Sequence, residues 1–213
     1  MTHLFSSPVF LAIGVVTLWK LRGDINRTVS LAIFCIAVVF LLAMSGVFHL
    51  LTPGTTGRYV LQILDHAAIF FLIAATFTPV HTIQFKGIMR WGILLLVWSI
   101  AITGLTLKSI YFEDIPEIVS LTLYLGLGWI GILTAYFLIR KYDYKTVAPL
   151  IYGALAYTGG ATMEFLRHPV LVNGVIGPHE LFHILVLVGI GFHWQFVYRM
   201  AVTYHPARET PAH

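Results

Sequence analysis

The chain alternates between long apolar stretches and short polar connections over almost its whole length. A membrane-spanning helix needs roughly 20 mainly apolar residues, within a range of about 17 to 25. Seven stretches approach or meet this length, and we predict that each forms a transmembrane helix. Their approximate bounds are residues 4–19, 28–51, 59–80, 91–107, 117–139, 147–166 and 179–202. Proline and glycine punctuate the connections, as in Gly177-Pro178 before the seventh stretch, where proline suits a first helical turn.

The composition places the chain in a membrane. Hydrophobic residues make up 58% of the 213 residues and charged residues only 10%, whereas a soluble domain carries about 25% charged residues. A globule with so few charges has too little polar surface to face water. We therefore predict an all-α membrane protein, a seven-transmembrane helix bundle that forms a single domain over residues 1–213.

Charge and cysteine content exclude several other classes of protein. The formal net charge is +4, but no basic block interleaved with aromatic residues indicates nucleic-acid binding. Cys35 is the single cysteine, so an intrachain disulfide is impossible. No lysine or arginine precedes the first apolar stretch, and we expect no cleaved signal peptide.

The lysine and arginine residues are unevenly divided between the two membrane faces. Three lie on the face of the N-terminus, here called face A: Arg58, Lys108 and Arg167. Ten lie on the opposite face B: Lys20, Arg22, Arg27, Lys86, Arg90, Arg140, Lys141, Lys145, Arg199 and Arg208. Cytoplasmic loops carry the excess of lysine and arginine. The count predicts an N-terminus outside and a C-terminus in the cytoplasm of a multi-pass cell-membrane protein.

Polar residues inside the apolar stretches are concentrated at one depth. Ionisable groups in a bilayer cost about 2.5 to 3.5 kcal/mol on insertion scales and are functional candidates by default. They lie at the end of the second stretch, near the start of the third and at the start of the seventh: Ser45, His49, Asp65, His66, His179, Glu180 and His183. Because successive helices alternate in direction, all three places lie on face A.

The spacing of the histidines predicts a metal site. His179 and His183 are four residues apart and therefore share one helix face. Two imidazoles on one face can chelate an ion, and His49 from another helix supplies a third ligand, leaving one position of a zinc site open. The first turn of a helix disfavours an imidazolium cation, which keeps His179 neutral and able to bind metal.

Histidines without such spacing have a simpler interpretation, because a lone histidine in a span usually hydrogen-bonds a backbone carbonyl. His193 is expected about 15 Å deeper than His183 and structural. His66 points away from the Asp65 side of its helix, and Glu164 either joins the polar network or caps it. We assign no role to the histidines expected in loops or termini: His3, His81, His168, His205 and His213.

Three motifs together resemble one family. They are Ser45-x-x-x-His49, then Leu64-Asp65-His66-Ala67-Ala68-Ile69-Phe70 with Thr76-Phe77-Thr78-Pro79, then His179-x-x-x-His183. Their order and their places in seven spans resemble the hemolysin III / progestin and adiponectin receptor family, across essentially the whole chain. The wider superfamily includes the alkaline ceramidases, some bacterial members are described as hemolysins, and the eukaryotic members are described as receptors with ceramidase-like activity.

The resemblance implies a function for each matched residue. His49, His179 and His183 would bind zinc, Asp65 would lie beside the water on that zinc, and Ser45 would lie just outside the ligands. The adiponectin receptors place their N-terminus and zinc in the cytoplasmic half, the reverse of what the charge count predicts here, and we keep the charge-based orientation. Glu180 also departs from many relatives, which have an uncharged residue there.

Three functions remain open. The first is a zinc-dependent hydrolase of a membrane lipid, a ceramide-like amide or an ester, in which Asp65 takes the proton of the water and Ser45 orients the site or stabilises the oxyanion. The second is an intramembrane metalloprotease with Glu180 as base of H-E-x-x-H, which would need a further acidic ligand downstream. The third is a receptor, channel or lytic protein with structural zinc. A proton-coupled transporter would instead need polar groups spread across the bilayer.

Overall fold

The computed structural model describes residues 2–203 as a bundle of helices, and Met1 and residues 204–213, including Arg208 of the face B count, lie outside the described residues. The described chain forms eight helical segments: α1 (Thr2–Leu21), α2 (Ile25–Phe48), α3 (Thr56–Gln84), α4 (Gly87–Ile110), α5 (Glu117–Trp129), α6 (Gly131–Lys141), α7 (Tyr144–Leu166) and α8 (Pro178–Thr203). Within residues 2–203 the β-structure is limited to one isolated bridge between Val172 and Ile176.

The fifth predicted helix is interrupted near its middle. Helix α5 ends at Trp129 and α6 begins at Gly131, with Ile130 between them in a right-handed helical conformation. Together they form one continuous apolar segment of 25 residues, Glu117–Lys141. Eight helical segments therefore correspond to seven crossings, which confirms the predicted all-α bundle of seven helices.

Six of the seven crossings within residues 2–203 are long and apolar enough to span a membrane. The exception is α7, which has 23 residues but carries glycine, threonine and tyrosine in place of larger aliphatic side chains. Several of these residues, including Tyr157 and Thr158, line an internal cavity. The lower hydropathy of α7 thus has a structural cause, because one of its sides borders this cavity.

The helices extend beyond the apolar stretches that predicted them. Helix α3 reaches Gln84 rather than residue 80, passing through Pro79, which bilayer helices tolerate when neighbouring groups satisfy the freed carbonyl. Helix α2 is the exception, since it ends at Phe48 rather than at residue 51. Asp24, Thr55 and Asp143 cap the starts of α2, α3 and α7 by accepting backbone N–H bonds.

Close helix approaches depend on a few glycines. A Cβ on Gly46 of α2 would lie 2.7 Å from Cα of Leu4 in α1. Between α7 and α8, a Cβ on Gly153 would collide with His193, and one on Gly189 would lie 2.7 Å from the ring of Tyr157. Small residues at these places let the backbones of neighbouring membrane helices approach each other. The two approaches hold α1 against α2 and α7 against α8, which are the helices that carry most of the polar cluster.

Candidate metal centre

The structure brings the three predicted metal ligands together. His49, at the end of α2, and His179 and His183, in the first turns of α8, have ligand nitrogens that all lie within 4.8 Å of one another. The Nε2 atoms of His49 and His179 are 2.9 Å apart. The ring centroid of His183 lies 4.3 Å from that of His179 and 5.0 Å from that of His49. The fold therefore brings the three histidines into one cluster, and this cluster could hold a metal ion.

His49 is held at the end of α2 by its own backbone and by α3. The residue is the C-cap of the helix, and its backbone N–H donates to the carbonyl of Ser45. Arg58 of α3 donates to the carbonyls of Phe48 and Leu51, at 3.2 and 2.6 Å, on either side of His49. Phe48 is the last residue of α2 and Leu51 lies in the connection that follows, so this arginine ties the two sides of His49 together.

His179 and His183 owe their position to the start of α8. Pro178 occupies the first position of the helix, where its missing N–H is no loss. Glu180 is exposed, and its carboxylate accepts the backbone N–H of Gly177 at 2.9 Å. A glutamate that bonds the N–H three residues back forms half of a capping box. Glu180 thus stabilises the helix start.

Glu164 of α7 joins the cluster through His179. Nδ1 of His179 lies 3.4 Å from Oε1 of Glu164, and a carboxylate can only accept, so Nδ1 donates. In a neutral imidazole the other nitrogen, Nε2, then carries the lone pair, and this is the atom that faces His49. The same carboxylate pairs with Arg167, whose guanidinium also reaches Glu117 at 3.1 Å.

The predicted catalytic pair lies beside the histidines. Ser45 is buried one helical turn before His49, and Asp65 of α3 lies close enough to Ser45 and His179 to interact with both. Both residues line the same cavity as His49 and His179. Asp65 is not part of the ligand group, which among the described residues consists of the three histidines. The structure thus places Asp65 and Ser45 next to the ligands without making either of them a ligand.

The donor set fits a metal of the type predicted. Two imidazole nitrogens bound at about 2.0–2.1 Å to one tetrahedral ion lie about 3.3 Å apart, close to the 2.9 Å between His49 and His179. A metal-ligating histidine usually donates its other N–H to a carboxylate, as His179 does to Glu164. Oε2 of Glu164 is buried and has no donor among the described residues. A cation at the cluster would lie close to this oxygen and add a favourable charge beside it.

A large cavity opens from the cluster into the bundle. Its volume is about 810 Å³, within the range of about 300 to 1,000 Å³ typical of ligand pockets. The histidine cluster, Ser45 and Asp65 lie at its face A end, and the rest is lined mainly by apolar side chains of α3, α5, α6 and α7, such as Leu72, Leu121 and Leu150, together with a few polar ones such as Thr134 and His193. The cavity therefore offers one polar end and a long apolar interior.

Two buried histidines were missed by the sequence interpretation. His3 lies in α1, bonded to Ser45 and His183, and His81 lies in α3, bonded to Thr134 and to the carbonyl of Met89. The first stretch was predicted to begin at residue 4, whereas α1 begins at Thr2. His3 was therefore left outside the predicted helix. The third stretch was ended at residue 80, one residue before His81, whereas α3 continues to Gln84.

Two further histidines hold backbone carbonyls, whereas His168 is exposed. His193 is buried, and its Nε2 donates to Leu150 at 3.1 Å, in keeping with the structural role expected for it. His66 donates to Gln62 of its own helix at 2.8 Å and lies outside the ligand group. His205 and His213 lie outside the described residues.

Comparison with known proteins shows the family to which the chain belongs. The family model described as "Haemolysin-III related" matches residues 1–194. The chain is 30% identical to "Hemolysin-3 homolog" of Bacillus subtilis (strain 168) over 167 residues, which cover 78% of this chain and 75% of that protein. It is 27% identical to "Hemolysin-3" of Bacillus cereus over 168 residues, 79% and 73% of the two chains. This multi-pass membrane protein belongs to the haemolysin-III related family.

Proposed function

We propose that this protein is a zinc-dependent hydrolase that cleaves a lipid amide of the ceramide type, or a lipid ester, inside the membrane. The observation that carries the proposal is the meeting of His49, His179 and His183 within 4.8 Å at the polar end of an apolar cavity. A ligand site with three protein donors and an open fourth position is typical of catalytic zinc.

The three histidines and Glu164 would hold the ion. His49, His179 and His183 contribute one nitrogen each, and Glu164 fixes the tautomer of His179 by accepting its Nδ1–H. When bound, zinc lowers the pKa of a coordinated water and polarises a carbonyl oxygen. The protein would then have to position the lipid carbonyl and to handle the protons of the reaction.

Asp65 is our proposed general base. Its carboxylate accepts a proton from the water that attacks the lipid carbonyl, and it returns that proton to the leaving amine or alcohol when the carbonyl–heteroatom bond breaks. Water is thereby divided between the two products, an acid and an amine or alcohol. Ser45 lies beside Asp65 and helps to order the polar groups at this end of the cavity.

The cavity suits a substrate that comes from the bilayer. A lipid amide has a polar linkage near the headgroup and one or more long hydrocarbon chains. The polar end of the cavity would take the linkage, and the apolar interior between α3, α5, α6 and α7 would take a chain. Membrane lipids are therefore the proposed partners, with a ceramide-like lipid as substrate. The oligomeric state is not part of this proposal.

The alternative functions have less support. A structural zinc site usually has four protein ligands, whereas the ligand group among the described residues has three and leaves Asp65 out. This counts against a receptor or lytic protein with purely structural zinc. A metalloprotease would use Glu180 as base, but this residue is exposed and caps α8.

The test combines metal analysis with turnover. Purified protein should contain stoichiometric zinc, and a His49→Ala, His183→Ala variant should lose it. The wild type should hydrolyse ceramide or a lipid ester, and Asp65→Ala should retain zinc while its kcat falls at least about 100-fold, within the range for a general base. A zinc-free wild type would overturn the metal site. A zinc-loaded wild type inactive on both lipid classes would overturn the hydrolase.

Glu180→Gln distinguishes the hydrolase from the protease. Glutamine retains an acceptor for the N–H of Gly177, so we expect helix α8 to begin at the same place and the lipid-hydrolysis rate to stay within about twofold of wild type. Loss of turnover with zinc retained would instead support Glu180 as the base.

A further inference from the structure

His3 occupies a place in the polar cluster that the proposed function does not use. Only 3% of its surface is exposed, and both of its ring nitrogens are engaged. Nδ1 lies 2.9 Å from Oγ of Ser45, and Nε2 lies 3.1 Å from the carbonyl oxygen of His183. Its ring also stacks on that of His183, with centroids 4.0 Å apart and planes 21° apart. One side chain of α1 thus contacts a proposed metal ligand and a proposed active-site residue.

We infer that His3 is a positioning residue of the metal centre, which orients the hydroxyl of Ser45 and the ring of His183 from helix α1. The inference rests on the proposed function, because it concerns how the same site is held together. His3 is not itself a ligand, since its two nitrogens are turned to Ser45 and to a backbone carbonyl.

The donors and acceptors available decide the direction of the two hydrogen bonds of His3. A backbone carbonyl only accepts, so Nε2 of His3 must carry a hydrogen and donate to His183. In the neutral imidazole Nδ1 is then an acceptor. Ser45 is the partner of Nδ1, so its single hydroxyl proton is donated to His3. The bond that His3 makes with His183 therefore fixes the direction of the bond that Ser45 makes.

This direction changes what Ser45 can do in the reaction. With its proton directed to His3, Ser45 presents oxygen lone pairs to the cavity. It can then accept a hydrogen bond from water or from the substrate's N–H. In this arrangement Ser45 acts as an acceptor that orients a donor.

The stacking contact acts on the metal ligand directly. His183 is buried between His3 on one side and the rings of His49 and His179 on the other. Neighbouring rings restrict the rotamers of His183 and so hold its ligand nitrogen in place before metal binds. Supporting residues raise metal affinity in this way. Removing the His3 ring would free His183 to turn.

The experiment compares three substitutions of His3 by cobalt spectroscopy and kinetics. The wild type and each variant are loaded with Co²⁺ alone, and the visible d–d absorption and the Co²⁺ affinity are measured. In His3→Leu both hydrogen bonds and the flat ring are lost. His3→Asn retains an acceptor near Ser45, but its shorter side chain does not reach the carbonyl of His183. His3→Gln offers an acceptor oxygen and a donor N–H together, so it is the conservative variant.

We expect His3→Leu to weaken Co²⁺ binding roughly 10- to 100-fold and to alter the absorption bands, and His3→Gln to restore most of both. The zinc-loaded enzyme should lose kcat more than it changes KM. His81→Leu is the matched control, because it removes another buried histidine with two hydrogen bonds, to Thr134 and Met89, away from the ligand group. It should lower thermal stability and leave the cobalt bands unchanged.

The outcomes separate this inference from the proposed function. If the wild type binds metal but His3→Leu matches it in cobalt bands, affinity and kcat, the positioning role is wrong and the proposed function is unaffected. If the wild type binds metal without hydrolysing lipid, the hydrolase is wrong, and the spectra still decide the role of His3. If the wild type binds no metal, both are wrong. Should His3→Leu not fold, His3→Asn decides, and bands identical to wild type there would contradict an orienting bond to His183.

Discussion

At the scale of single residues, the metal cluster depends on side chains that are not ligands. Arg58 satisfies the carbonyls on either side of His49, Glu164 accepts from His179, and Glu180 caps the helix that carries two of the histidines. Each of these groups is charged, and each forms a hydrogen bond with a backbone or imidazole group at the face A end. Buried polar groups are tolerated in a bilayer when they are paired in this way.

Glu164 allows a prediction at this scale. In Glu164→Leu, Nδ1 of His179 loses its acceptor, the tautomer is no longer selected, and zinc affinity should fall about 10- to 100-fold. Competition with a chromophoric chelator measures this affinity. Glu117→Leu is the control, because Glu117 also pairs with Arg167, in an exposed bridge that leaves His179 untouched. Equal zinc affinity in Glu164→Leu and wild type would contradict the role of Glu164.

At the scale of helices, the cluster requires that four helix ends meet at one depth. The end of α2 and the starts of α1, α3 and α8 contribute His49, His3, Asp65 and the His179/His183 pair. Helix α1 packs against both α2 and α8, which places His3 between Ser45 and His183. The close approach at Gly46, one residue after Ser45, is what allows the backbone of α1 to come this near.

Gly46→Ala tests that approach. The added Cβ would lie 2.7 Å from Cα and 2.8 Å from the backbone nitrogen of Leu4, so α1 must shift. Overpacking of this kind costs about 1–3 kcal/mol, and we expect a lower thermal unfolding temperature in detergent together with weaker Co²⁺ binding. Gly191→Ala in α8 is the control, since nothing lies within 4 Å of its Cβ position. An unfolding temperature for Gly46→Ala equal to that of Gly191→Ala would show that α1 does not depend on this contact.

At the scale of the whole molecule, the cations of both faces contact groups of the protein itself. On face A, Arg58 and Lys108 bond backbone carbonyls and lie over the rings of Phe48 and Phe112. On face B, Arg90 and Lys141 likewise bond backbone carbonyls and lie over the rings of Trp91 and Tyr142. These contacts do not distinguish the two faces, so the orientation remains a prediction from the unequal count of lysine and arginine.

Cysteine labelling tests the orientation. In a Cys35→Ala background, Asn173→Cys places a thiol in the exposed connection between α7 and α8 on face A, and Lys145→Cys places one at the exposed start of α7 on face B. In intact cells a membrane-impermeant maleimide should label Asn173→Cys, and it should label Lys145→Cys only after permeabilisation. The opposite labelling pattern would place the N-terminus and the metal cluster on the cytoplasmic side, as in the adiponectin receptors.

Some features of the fold and of the candidate site could be predicted from the sequence and others could not, and the reasons are physical. The i, i+4 spacing of His179 and His183 and the alternating helix directions were sufficient to predict that His49 meets them, because both rules depend only on position along the chain. His3 was missed because a single histidine near an end has no spacing signal. The interruption at Ile130 lies between Gly128 and Gly131, and these glycines were interpreted from the sequence as packing positions and not as a break.

The sequence by itself determined the environment, the number of crossings and the common depth of the predicted metal ligands, because hydropathy and length report position across the bilayer. The tertiary structure alone decided which helices are neighbours and which way their side chains turn. In a membrane, lipid tails are as apolar as the side chains they contact, so an apolar helix surface does not reveal whether it faces lipid or another helix. The place of α1 between α2 and α8, and with it the role of His3, follows from packing alone.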